Sequence, residues 1–116
     1  MILQKKDIKK EDAYNRFGGE GYITVRSLRN GEAELHGKGR VFAHTTLHVG
    51  SDIGYHEHHG ESETYYFLSG TAELNDNGVI RQVGPGDVAF TGDGEGHGLK
   101  NIGTEPVEFI ALILYT

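Results

Sequence analysis

The stretch GSDIGYHEHHGESETYYFLSG runs from Gly50 to Gly70 and sets His56, His58 and His59 side by side, with Glu63 close behind. On a β-strand side chains alternate, so His56 and His58 share a face with their Cα atoms ~6.6 Å apart, while Glu57 faces away. Two imidazoles at that separation can converge on one ion. Glu63 follows His58 at an odd offset, which on one continuous strand would turn it outward. Gly60 permits a turn, so Glu63 can open a second strand and face the same interior. Imidazoles and a carboxylate are donors that suit manganese, iron, nickel or zinc. The same residues also read as a polar loop with exposed histidines, and this stretch alone leaves both readings open.

Working outward, the chain is a series of short runs of β-type composition: YITVRSL, RVFAHTTLHV, ETYYFL, TAELN, VIRQV, DVAFT and EFIALILY. Eighteen glycines are spaced singly between them as turn punctuation. The step NDNG, Asn75 to Gly78, is a hairpin signal, because Asn-Gly supplies the positive φ of a type I′ turn. Many short strands with almost no helical periodicity predict an all-β, antiparallel sandwich or barrel. Only KKEDAYN, Lys9 to Asn15, has the character of a helical turn. With 116 residues and no internal repeat, a single domain is expected over 1–116, with 1–20 as an N-terminal arm and 21–116 as the barrel. In the last run, Phe109, Ala111, Ile113 and Tyr115 lie on one face and Ile110, Leu112 and Leu114 on the other. Both faces are apolar, so both should be covered, one by the barrel interior and one by another layer or a partner subunit, and a homodimer is expected.

Composition removes several classes of function. There is no cysteine, hence no disulfide, thiolate nucleophile or Cys-based zinc site, and any metal must be held by nitrogen and oxygen. A net charge of −6 argues against nucleic acid as a partner. No apolar run reaches the ~18 residues of a membrane helix, and the opening MILQKKDIKKED lacks the apolar core of a secretory signal, so no membrane and a cytoplasmic location are expected. Nine basic residues precede residue 51, but only Arg81 and Lys100 follow it, against eleven acids.

A second stretch, GDVAFTGDGEGHGLKN from Gly86 to Asn101, holds His97 in a glycine-rich turn leading into a strand. A fourth ligand placed there closes the set. Here the chain resembles the cupins. Gly50, His56, His58, Glu63 and Gly70 meet every spacing of their first motif, and Gly86, Gly94, His97 and Asn101 meet those of the second, with Gly92 where proline is usual. VGPGDV and NIGTEPVEF are also cupin-like. The resemblance implies a small single-domain antiparallel β-barrel of jelly-roll type. It implies one divalent metal ion held by His56, His58, Glu63 and His97, with a coordination position or two open to water, oxygen or a chelating substrate. Three neutral imidazoles and one carboxylate leave a divalent ion near +1, which favours an anionic or enolisable oxygen ligand.

Such a centre fits a metalloenzyme acting on a small polar molecule, dioxygenase- or decarboxylase-like. The alternatives are a non-catalytic cupin that binds a small ligand through its metal, and a sugar-phosphate isomerase-like enzyme. The last needs Arg or Lys at the cavity; Arg26 or Arg40 could supply one. By parity with Glu63, Tyr65 and Phe67 should point inward and either shape a substrate pocket or form core, with Tyr66 and Leu68 outside. His59 reads as an exposed neighbour of the ligands. His44 and His48 share a strand face, where one could serve as an acid or base, or both be ordinary strand histidines. His36 reads as loop, and Lys5, Lys6, Lys9 and Lys10 as a solvated terminus. No nucleophile elbow, Walker loop or dinucleotide fingerprint is present.

Overall fold

A computed structural model describes residues 1–29 and 31–116. The described residues form ten strands: β1 (Lys10–Tyr14), β2 (Tyr22–Ser27), β3 (Gly39–Leu47), β4 (Asp52–Glu57), β5 (Glu61–Ser69), β6 (Ala72–Asp76), β7 (Val79–Val83), β8 (Val88–Thr91), β9 (Gly96–Asn101) and β10 (Val107–Tyr115). They pair antiparallel in a six-stranded sheet, β1-β2-β3-β10-β5-β8, and a four-stranded sheet, β4-β9-β6-β7. The two sheets face each other as a jelly roll. Helical structure among the described residues is limited to 3-10 turns at Lys5–Asp7, Arg16–Gly18 and Glu32–Leu35. None of these is long and apolar enough to cross a membrane.

Alternation writes the sheets. Along β5, Glu63, Tyr65 and Phe67 are buried while Tyr66 and Leu68 are exposed. On β10, Val107, Phe109, Ala111 and Ile113 are buried, and pairing with β3 on one side and β5 on the other makes this the central strand. Phe67, Phe109, Leu47 and Leu99 are almost fully enclosed and anchor the core. Each such side chain contributes about 1.5–3 kcal/mol on leaving water. The expected hairpin is present: β6 and β7 are joined by Asn77 (φ 50°) and Gly78 (φ 96°), both in the left-handed region, as a type I′ turn requires.

The expected helical turn at KKEDAYN is not there. Lys10–Tyr14 is strand β1, in register with β2 from Lys10↔Arg26 to Tyr14↔Tyr22. It is an edge strand of the six-stranded sheet, with Lys10, Glu11 and Asp12 exposed and only Ala13 half-buried. Charged side chains protect such an edge from further pairing, and they also hide its period of two.

The outward face of the six-stranded sheet is apolar over half its width. Leu112 sits opposite Phe42, Ile110 opposite Tyr66, and Tyr66 opposite Val88, with Leu68, Phe90 and Leu114 nearby. Ile110 and Leu112 are half-buried, and the others are exposed.

Candidate metal centre

Four elements bring His56, His58, Glu63 and His97 together at one end of the barrel. A bulge in β4 does the first part of this work: between the pairs Ile53↔Leu99 and His56↔His97, Gly54 and Tyr55 stand opposite the single residue Gly98. Ile53 and His56, three positions apart, therefore both face inward, which a regular strand would forbid. His58 follows the end of β4, held by its backbone NH on Glu95 O and by Gly94 NH on its own carbonyl. The chain then reverses at His59-Gly60, where Gly60 has φ 76°, and β5 re-enters with Glu63 pointing inward. His97 comes from β9, opposite His56.

The donor atoms lie within 4.8 Å of one another, an arrangement able to hold a metal ion. His58 Nε2 is 3.1 Å from His97 Nε2 and 3.1 Å from Glu63 Oε1, and His97 Nε2 is 3.0 Å from the same oxygen. Donors at ~2.1 Å from one ion and at right angles to each other stand ~3.0 Å apart, so this spacing fits coordination. The tautomers agree. His56 Nδ1 lies 2.8 Å from Gly54 O, which can only accept; His58 Nδ1 lies 2.8 Å from Glu61 Oε2; and His97 Nδ1 lies 2.8 Å from the Thr91 hydroxyl. With each Nδ1–H so engaged, the Nε2 lone pairs converge on one another and on a carboxylate oxygen. Without a cation these acceptors repel at close range in a site where His97 is 1% exposed. The residues fit a divalent ion.

The surroundings reinforce that chemistry. Burial above all holds the His56 imidazole below its ordinary value, which favours the neutral ring. Burial and then the Glu63 carboxylate push the Tyr65 phenol well above its ordinary value, so it remains a hydrogen-bond donor to Glu63. Tyr65 also stacks on His97 with ring centres 5.0 Å apart. Behind His58, Glu61 is gripped by Arg40 at 2.8 and 2.9 Å in a two-pronged pair. That hydrogen bond from Arg40 draws the Glu61 carboxyl below the usual carboxylate range.

The centre opens into a cavity of about 210 Å³ bounded by Glu11, Arg16, Phe17, Val41, Thr45, Tyr65, Phe109 and Ile113, with His56, His58 and Glu63 at its floor. This is below the ~300–1,000 Å³ of sites that hold drug-sized ligands, so the cavity suits a small molecule. Tyr65 lines it. Phe67 does not: it lies deeper, 1% exposed, against Phe109. Of the cations weighed from the sequence, Arg40 lines the cavity, because a second bulge places it as the extra residue of β3 between Gly39↔Leu114 and Val41↔Ile113. Arg26 instead hydrogen-bonds Thr46, Arg81 is exposed on β7, and Lys100 borders a separate shallow depression on the four-stranded sheet. His44 and His48 do not reach the cavity. His44 lies 3.4 Å from Glu108, while His48 bonds the Thr24 hydroxyl and stacks on Tyr22. His59 is exposed, 3.5 Å from Glu57, and His36 occupies a turn with φ 53°.

Sequence reasoning missed Glu11, Arg16 and Phe17 at the mouth, and Glu61 and Thr91 behind the imidazoles. Glu61, three residues after His58 beside a turn, carried a readable signal; the others depend on tertiary placement.

A jelly-roll barrel with three inward imidazoles and one carboxylate at its open end defines a class of small metal-binding folds. The model of the cupin domain family matches residues 43–113, and the chain belongs to that family. It is 40% identical over 114 residues to an oxalate-binding protein of Thermotoga maritima, covering 98% of this chain and 93% of the relative. Among solved structures it superposes on a predicted oxalate decarboxylase from Thermotoga maritima with a TM-score of 0.93 and 37% identity, covering all of both chains (100% each). A polyketide cyclase from Streptomyces resistomycificus, 21% identical, shares the fold with a TM-score of 0.76, over 99% of this chain and 78% of that one.

Proposed function

We propose that this protein holds one divalent first-row ion, manganese, iron, nickel or zinc, on His56, His58, Glu63 and His97, and binds oxalate or a similarly small dicarboxylate beside it. The carrying observation is the cluster of converging lone pairs at the floor of a small cavity that also contains Arg16 and Arg40. The oxalate-binding relative, similar along almost the whole chain, supports the choice of ligand. When bound, the ion supplies a centre near +1 that attracts carboxylate oxygens. The protein's own residues do the rest. Tyr65 and Glu61 fix the orientation of Glu63 and His58, and Val41, Phe109 and Ile113 keep bulk water from the floor.

A second reading, decarboxylation of the bound dicarboxylate, is favoured by Glu11, whose side chain borders the same cavity. Loss of CO₂ leaves an electron pair on the remaining carbon, which must take up a proton, and Glu11 at the mouth can relay one from solvent to it. The outward apolar face around Leu112 pairs two copies as a homodimer; Leu112→Glu should shift the mass measured by light scattering to that of one chain.

Elemental analysis of untagged protein, followed by calorimetric titration with oxalate, tests the main reading. About one ion per chain and a binding isotherm that His56→Ala abolishes are expected. A sub-stoichiometric metal content, or no heat from oxalate with fully loaded protein, would overturn it. Formate released from oxalate distinguishes the enzyme from the binding protein.

A further inference from the structure

The turn that joins β1 to β2 crosses the mouth of the cavity in an uncommon conformation. Asn15 and Phe17 both sit in the left-handed region at φ 52°, and they flank Arg16. For residues other than glycine this costs of order 1 kcal/mol each, so the surroundings must enforce it. They do so from two sides. The Phe17 ring lies flat on the His56 imidazole, ring centres 3.7 Å apart and planes 11° from parallel. The turn's backbone also presses on β4, where any side chain at Gly54 would run into the Phe17 carbonyl and any at Gly19 into Asp52 O. Pinned in this way, the turn delivers Arg16 to the cavity wall, with its guanidinium 5.2 Å from the centre of the Phe17 ring.

The two cavity arginines are not equivalent. Arg40 spends both prongs on Glu61. Arg16 has no carboxylate partner among the described residues, although its charge is felt by Tyr65 at the floor. An always-charged, planar donor without a partner, at the mouth of a small cavity, is arranged to receive an anion.

We infer that Arg16 is the specificity-determining residue of this site, pairing with the carboxylate oxygens of a dicarboxylate that the floor leaves free, and that Phe17 is the anchor that aims it. The inference rests on the dicarboxylate-binding reading above and extends it: a ligand with two carboxylates engages both floor and mouth, and a monocarboxylate engages only the floor. Charge supports the division. A divalent ion on its four ligands gives the floor about +1, Arg40 and Glu61 cancel, and Arg16 offsets Glu11, so the cavity as a whole keeps about +1, and Arg16 is the lining arginine not held by a carboxylate among the described residues.

The test is calorimetric titration of metal-loaded protein with oxalate and with acetate, for the wild type, Arg16→Gln and Arg16→Lys. A charge-assisted pair in a partly enclosed site corresponds to about a tenfold or greater change in affinity. Arg16→Gln should weaken oxalate by at least about tenfold while leaving acetate within about twofold, and Arg16→Lys should restore part of the loss. Metal affinity, measured with a competing chelator, should be unchanged in both variants, which separates anion recognition from a damaged centre. Oxalate binding by Arg16→Gln within about twofold of wild type would overturn the role of Arg16 and leave the dicarboxylate reading standing. Failure of the loaded wild type to bind oxalate would sink both.

Discussion

Replacing Glu61 by alanine should weaken metal binding although Glu61 is not itself one of the four donors. Its Oε2 lies 2.8 Å from His58 Nδ1, and through that contact it fixes both the tautomer and the ring angle of a ligand that is only 5% exposed. Partners of this kind change metal affinity by about 10–100-fold when removed, which is ~1.4–2.8 kcal/mol. A second effect falls on the metal-free protein. The substitution strands a buried imidazole NH at ~1–3 kcal/mol, and it releases Arg40, whose half-exposed ion pair contributes at most ~1 kcal/mol. For a chain of this size each kcal/mol moves Tm by about 4 °C, so the metal-free variant should melt roughly 4–16 °C lower. Glu61→Gln retains an oxygen that can accept from Nδ1 and should recover most of the affinity. Arg40→Gln should lose little affinity, because Glu61 keeps its hold on His58. Competition between protein and a chelating dye reads the affinity, and calorimetry reads the melt. Metal affinity in Glu61→Ala within about twofold of wild type would refute the idea that Glu61 orients His58.

Other consequences are as direct. Metal at about a thousand times its dissociation constant should stabilise the fold by ~4 kcal/mol, a rise of about 16 °C in Tm that chelation reverses and His97→Ala prevents. Phe109→Ala, deep in the core, should cost about 3–5 kcal/mol in urea unfolding. Gly78→Ala should cost about 1 kcal/mol or more by forcing a side chain into the φ 96° position of the β6–β7 turn. Asp93 accepts from the Thr116 hydroxyl and the Gly60 NH, and the Thr116 bond foremost holds its carboxyl below the ordinary value. A depressed acid stabilises the fold above its unfolded pKa and loses that effect as pH falls through the folded value. Asp93→Asn should therefore be more destabilising at neutral pH than at about pH 2; equal effects at both would show that the carboxylate charge is irrelevant there.

The strand pattern was legible because it depends on short-range rules, while the four-residue centre was legible as a set only through the resemblance to cupins. Alternation along β5 fixed the inward set Glu63, Tyr65 and Phe67, Gly60 permitted the reversal between His58 and Glu63, and Asn77-Gly78 marked its hairpin. What escaped depends on one-residue insertions and on distant partners. The bulge at Arg40 turns a side chain that strict alternation would aim outward, and nothing in GRVFAHTTL announces it. Strand β1 was hidden because its charged residues suit an exposed edge and equally a helical turn. Phe17 reads from sequence as one aromatic among glycines, and only the stacked His56 ring explains its backbone. Tyr65 and Phe67 look alike by parity, yet one touches the cavity and the other the core, since depth along the barrel axis leaves no mark on an alternating pattern.

The position of β10 between β3 and β5 carries a consequence for synthesis. Residues 39–47 and 61–69 have no lasting partner for their facing edges until residues 107–115 have left the ribosome. Nascent chains must wait with two apolar strands open, so folding is gated by the arrival of residues 107–115 and by slow, long-range pairing. A frameshift or premature stop shortly before Val107 should yield aggregates rather than a smaller working barrel.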